Sequence, residues 1–208
     1  MSERAARPAE RPTTAPPGRC QWAGTDPRMV AYHDTEWGTP LHDERALFEL
    51  LCLEGAQAGL SWSTVLNRRD GYRAAYDGFD AATIATYDDG RQAQLLADTR
   101  IIRNRAKVHA FRENARAVLT LRDESGGLEP FLWGFVDGLP LVSAWGALSD
   151  LPASTDLSLT VSKALTKRGF RFVGPTIVYA YLQSAGIVND HTLDCFRHPT
   201  RAGSPAPD

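Results

Sequence analysis

Almost nowhere in the 208 residues does an apolar/polar alternation of period two appear, whereas apolar residues recur again and again at three- and four-residue spacing. That pattern leaves helices as the building material and predicts an all-α fold of about eight or nine helices of ordinary length. The clearest case is the stretch ALFELLCLEGAQAGLSW, residues 46–62. Leu47, Leu50 and Leu51 mark one helix face, and Glu54, seven, four and three residues after them, falls on the same face. A carboxylate among apolar neighbours is destabilising unless neighbours hydrogen-bond it or it faces a recess that takes a ligand. The alternative is a helix end whose Glu54 reaches solvent. Gly59-Leu60-Ser61 reads as a break, with Ser61 capping a new helix and Trp62 placing an indole close by.

The same reading extends along the chain. Residues 61–76 form a second helix, Asp80 caps a third that reaches Tyr87, and Gly90 opens another to Ala97. The basic run Arg100, Arg103, Arg105, Lys107 leads into a long helix to about Leu121, with Val108, Phe111, Ala115, Val118 and Leu119 on one face. The basic side chains are either a solvated helix start or a phosphate-contacting patch. Residues 124–127 are a loop, 131–136 a short apolar helix and 138–155 an irregular connection carrying Trp145. A helix over 158–168 points Leu159, Ala164 and Leu165 inward and Lys163, Lys167 and Arg168 outward. A tight turn over 169–176 follows, with Pro175 in the first turn of a helix that Gly186 ends. Free backbone N–H groups at such a turn can hold a phosphate, although any helical hairpin needs a turn there.

At 43% hydrophobic and 23% charged residues the chain can bury an ordinary core, so residues 19–198 are expected to form one helical domain, with room for two lobes. The Pro-, Ala- and Arg-rich residues 1–18 and the segment 199–208 read as disordered tails. A net charge of -2 gives no global signature of nucleic-acid binding, so any DNA contact must come from a local patch. Three scattered cysteines are too few for a disulfide scaffold; Cys52 reads as a core thiol, and a reducing cytoplasm fits. No apolar run approaches the roughly 18 residues of a membrane span, so no membrane partner is expected.

Two further constellations stand out. Trp22, Tyr32 and Trp37 crowd a short Gly- and Pro-punctuated segment, where they either line a recess or plug the core. Cys20 and His33 near the start and His191 and Cys195 near the end make two half-sites, the latter spaced to share a helix face. Together they form the Cys2His2 set of a tetrahedral, closed and therefore structural zinc site that would clasp the two ends; each half-site alone reads equally as a core histidine beside a free thiol. His42, His109 and His198 have no partner at such spacing and are expected at the surface.

Taken in order, CxW near the start, AYHDTEWG, LCLEGAQAGLSW, IIRNRAK, SKALTKRGFRFVGPTIVY and GIVNDH resemble the type I 3-methyladenine DNA glycosylases over about residues 20–195. The resemblance implies an all-helical, helix-hairpin-helix glycosylase fold that excises 3-methyladenine from alkylated double-stranded DNA and carries a structural zinc on Cys20, His33, His191 and Cys195. It implies a base pocket of Trp22, Tyr32, Trp37, Glu54 and Trp62, with Glu54 the catalytic residue and Leu60 the wedge beside the extruded nucleotide. Gly59, Arg171, Gly174 and Thr176 are the other expected DNA contacts. Met29 departs from the pattern, standing where some members carry a pocket tyrosine.

Elementary chemistry agrees. A purine methylated at N3 is cationic in the nucleotide and already a good leaving group, so the task is selection: a pocket that stacks the flipped base on an indole and meets its hydrogens with an anionic acceptor. Asp190 either assists water or orients the adjacent His191, the second being favoured. No lysine lies between Phe170 and His191 to form a Schiff base, so simple hydrolysis by a monomer, leaving an abasic site and free 3-methyladenine, is expected. The competing readings are a zinc-stapled DNA-binding module without catalysis and a zinc hydrolase; four protein ligands on one zinc argue against the latter.

Overall fold

The computed structural model describes residues 18–201. The expected tails fall outside them, apart from Gly18 and a short 3-10 turn at Pro199–Arg201. Ten α-helices occur among the described residues: α1 Pro27–Thr35, α2 Glu44–Gln57, α3 Trp62–Leu66, α4 Arg69–Ala75, α5 Ala81–Ala85, α6 Asp89–Ala97, α7 Arg105–Ser125, α8 Leu128–Trp133, α9 Asp156–Lys167 and α10 Pro175–Ser184. The only paired strands there are β1, Leu141–Val142, and β2, Val188–Asn189, which run parallel for two residues each. None of these helices is long and apolar enough to cross a membrane.

α2 is the axis of the molecule. Asp43 caps it by accepting from Ala46 N–H, and every residue from Leu47 to Ala56 is buried, so the helix is enclosed on all sides rather than on one. α7, α8 and α10 pack around it. Its C-terminal carbonyls are satisfied from outside: Lys107 on α7 donates through Nζ to Ala56 O at 2.7 Å and Ala58 O at 2.8 Å. Lys107 is therefore buried and structural, and the basic run does not form a single patch. Arg100 is paired to Asp98, while Arg103 and Arg105 are exposed.

Several boundaries differ from the sequence reading for local reasons. Residues 61–76 break into α3 and α4, which turns α4 back so that Arg69 and Arg73 converge on Glu49 of α2. α7 continues to Ser125 and is closed by Gly126 at φ +87°. α8 starts earlier than expected because both Glu44 oxygens accept from its first N–H groups, Leu128 at 2.9 Å and Glu129 at 3.0 Å. A reciprocal Thr155–Ser158 cap starts α9 at Asp156. With that start, Ser158, Val161, Ser162 and Leu165 face inward and Leu159 is exposed, contrary to expectation.

The turn between α9 and α10 is held from below. Asn114 of α7 grips the backbone of Arg171 on both sides, donating to its carbonyl at 3.1 Å and accepting from its N–H at 2.7 Å. Ser162 donates to Val173 O at 2.6 Å. The turn rests on α2 at Gly55, where a Cβ would lie 3.2 Å from Phe172 Cβ. A second, smaller cluster of Cys20, Tyr32, Trp37 and Cys195 sits beside the main core, with Trp22, Trp62, Leu66 and Phe196 packed on it.

Candidate functional site

Between the small cluster and α2 lies a cavity of about 200 Å³. Trp22, Tyr32, Trp37, Glu54 and Trp62, the five residues expected to form a pocket, all line it. α1 supplies Tyr32, the turn behind it Trp37, α2 Glu54 and α3 Trp62. The rings meet edge to face or tilted: Trp22 and Trp37 centroids are 4.9 Å apart at 67°, Tyr32 and Trp62 5.2 Å apart at 44°. They wall the space without closing it.

Glu54 is 2% exposed. Its Oε1 accepts from Ser184 Oγ at 2.5 Å, and that hydroxyl accepts in turn from Tyr32 OH at 3.0 Å. Burial pushes the Glu54 carboxyl up to about 7, partly opposed by the Ser184 hydrogen bond. Burial also raises Tyr32 well above an ordinary phenol, with the Glu54 charge adding to it. Three buried polar atoms on the cavity lining have no hydrogen-bond partner: Glu54 Oε2, Trp22 Nε1 and Trp62 Nε1. Buried polar groups are nearly always satisfied, so three orphans around one hollow mark a place shaped for a polar, flat guest.

The rest of the lining was not anticipated. Ala180, Gln183 and Ser184 come from one face of α10, Gln57 from the end of α2, and Leu148 and Leu151 from the irregular connection. A signal for two of them was present: Gln183 and Ser184 are a polar pair inside the apolar run YLQSAG. Met29 does not line the cavity. Asp190 is not on the lining either, and it does not orient His191. Its buried carboxylate accepts from Trp145 Nε1, Tyr179 OH and Gln183 Nε2. Asn189 Oδ1 accepts instead from His191 N–H at 3.2 Å.

The second constellation is a buried Cys/His cluster backing the aromatic wall. Ligand atoms of Cys20, His33, His191 and Cys195 all lie within 4.8 Å of one another. Cys195 Sγ is 3.4 Å from both His33 Nε2 and His191 Nδ1, and Cys20 Sγ is 3.5 Å from His191 Nδ1. Tetrahedral zinc with its usual sulfur and nitrogen bonds separates neighbouring ligand atoms by about 3.5 Å, so the set fits such an ion. The outer nitrogens are already committed: His33 Nδ1 meets Asp34 Oδ1 at 2.7 Å and His191 Nε2 meets Trp37 O at 3.0 Å. Both imidazoles thus turn their other nitrogen inward, that of His33 also accepting from Cys20 N–H at 3.2 Å. The Cys20 thiol, followed by the two histidines, holds Cys195 well below the ordinary thiol range. The cluster could therefore hold a metal.

Two expectations about this region need correction. Residues 191–195 are a turn, not a helix, closed by Cys195 N–H donating to Thr192 O at 2.8 Å; convergence of the side chains did not require helical spacing. His198 is buried, meeting Ser143 O at 2.9 Å, whereas His42 and His109 are exposed.

The expected DNA contacts lie outside the cavity. Gly59, at φ +75°, follows the end of α2 and presents Leu60, 43% exposed. Arg171 and Gly174 are exposed on the α9–α10 turn and Thr176 in the first turn of α10.

A sequence profile of the family described as methyladenine glycosylase matches residues 22–198. The chain is 46% identical over 181 residues to DNA-3-methyladenine glycosylase 1 of Escherichia coli (strain K12), covering 87% of this chain and 97% of that protein. A crystal structure of 3-methyladenine DNA glycosylase I (TAG) superposes with a TM-score of 0.85 at 49% identity, covering 87% of this chain and all of that one. A structure describing the basis of 3-methyladenine recognition by the Staphylococcus aureus enzyme gives 0.83 at 33% identity, covering 91% of this chain and 98% of that one.

Proposed function

This chain belongs to the methyladenine glycosylase family, and from that premise we propose that it is a DNA-repair hydrolase cutting the N-glycosidic bond of 3-methyladenine in alkylated double-stranded DNA. The observation that carries the reading is the indole-walled cavity whose lining leaves Glu54 Oε2, Trp22 Nε1 and Trp62 Nε1 without partners. A flat cationic purine suits that lining: its face stacks on the indoles and its hydrogens meet the carboxylate. The target base leaves the duplex stack to reach the cavity. Heterolysis sends the bond's electron pair to the base, which departs as neutral 3-methyladenine, and the sugar cation takes water, loses a proton and becomes an abasic site. Glu54 binds the positive charge on the base, and an ordinary neutral adenine gains less from it while holding a stronger bond. No lysine lines the cavity, which supports a single hydrolytic step without a lyase.

In this reading residues 19–198 act as one monomeric unit. The α9–α10 pair is a helix-hairpin-helix that grips the backbone through Arg171, Gly174 and Thr176, and Gly59 lets Leu60 wedge into the stack. Cys20, His33, His191 and Cys195 hold a structural zinc, which when bound neutralises two thiolates and staples the ends of the domain behind the pocket. A reducing cytoplasm keeps those thiols available. Incubation with methylated double-stranded DNA and chromatographic identification of the released bases tests the function: 3-methyladenine is expected, and its absence with folded, metal-loaded protein refutes the reading.

A further inference from the structure

We propose that Gln183 reads the exocyclic amine of the bound purine through its carbonyl oxygen, and that Asp190 is the positioning residue that presents this oxygen. The inference rests on the base-excision reading above and names what the same cavity selects. Asp190 is 1% exposed, and three donors converge on its carboxylate: Trp145 Nε1 at 2.9 Å on Oδ1, and Gln183 Nε2 at 2.6 Å together with Tyr179 OH on Oδ2.

A carboxylate only accepts, so the Gln183 amide has one tenable orientation. Turned over, it would set carbonyl lone pairs against a buried anion. With Nε2 committed to Asp190, Oε1 is the acceptor Gln183 has left to offer, and Gln183 lines the same cavity as Ser184 and Glu54. The Gln183 carbonyl therefore adds an acceptor to a lining whose free donors are the indole Nε1 groups of Trp22 and Trp62. A 6-amino purine meets that carbonyl with N–H; a 6-oxo purine meets it with another acceptor and leaves the desolvated Gln183 oxygen unpaired. The same carboxylate, through Trp145, ties down the connection that brings Leu148 and Leu151 to the cavity. Asp190 thus fixes both the chemistry of one wall and the seat of another.

The test compares two free bases, 3-methyladenine and 3-methylhypoxanthine, which differ in the 6-substituent and in the ring N–H that the oxo base carries, by tryptophan-fluorescence titration. Excision of 3-methyladenine from methylated DNA is measured in parallel. The native protein is expected to prefer the amino base by about tenfold or more. Gln183→Met, which keeps the volume and removes the oxygen, brings the two affinities to within about threefold. Asp190→Asn, which frees the Gln183 amide to turn over, erodes the same ratio with metal content unchanged. A merely structural loss lowers both affinities together and leaves the ratio standing, which overturns the proposal. Native protein that excises 3-methyladenine yet binds both bases equally also overturns it while sparing the reading beneath, and native protein that releases no methylated base overturns both.

Discussion

Ser184 Oγ donates to Glu54 Oε1 at 2.5 Å, the one hydrogen bond this buried carboxylate makes among the described residues, so a hydroxyl on α10 sets the direction of the carboxylate on α2. Ser184→Ala removes the interaction that opposes burial of the charge. The acid limb of the excision rate is then expected to move to higher pH, with a loss of about tenfold at neutral pH. Rate measurements across pH check it; an unmoved limb would show that Ser184 does not govern Glu54.

Glu54→Gln is expected to lower 3-methyladenine excision by about a hundredfold or more while the protein stays folded. In the native protein, kcat/KM should rise with pH through about 7, the value to which Glu54 is pushed, because the ionised form meets the cationic base. Stability runs the other way. A carboxyl whose pKa is raised on folding contributes stability present below its unfolded value of 4.5 and lost as pH rises through about 7. Glu54→Gln should therefore flatten the melting-temperature profile between those limits and stabilise the protein at pH 8.

The Cys/His cluster touches the pocket wall directly: the Trp37 and His191 rings are 4.7 Å apart and those of Trp22 and His33 5.3 Å. Cys195→Ser, or a strong chelator, is expected to lower the melting temperature by about 10 °C or more, remove bound metal and weaken free-base binding together. Calorimetry, elemental analysis and fluorescence titration report the three effects. A full-strength base affinity in metal-free protein would separate cluster from pocket.

Lys107→Met leaves the carbonyls of Ala56 and Ala58 without their donor. The expected destabilisation is about 2 kcal/mol in chemical denaturation, larger than for a surface lysine such as Lys163. Equal effects at the two positions would contradict the capping role.

The all-helical character, the buried Glu54 and the Cys20, His33, His191, Cys195 cluster were legible in the sequence because each rests on spacing or on the chemistry of a few residue types. What escaped depends on long-range partners. Lys107 reads as a solvated cation until α7 is laid against the end of α2, and His198 reads as a surface residue until Ser143 meets it. Leu159 was placed on the wrong face because the Thr155–Ser158 cap shifts where α9 begins. Ser184 and Gln183 carried a visible signal, a polar pair in an apolar helix. Their purpose depends on Glu54, 130 residues away from Ser184, and on Asp190. Asp190 itself looked like a servant of His191 by adjacency alone.

The contact between Gly55 and Phe172 works as a depth gauge. The hairpin proposed to hold the DNA strand bears on the residue next to Glu54, so turn and carboxylate share one side-chain-free point of contact. A methyl group at 55 would make Phe172 give by a few tenths of an ångström, and so would shift the turn against the helix that carries the carboxylate.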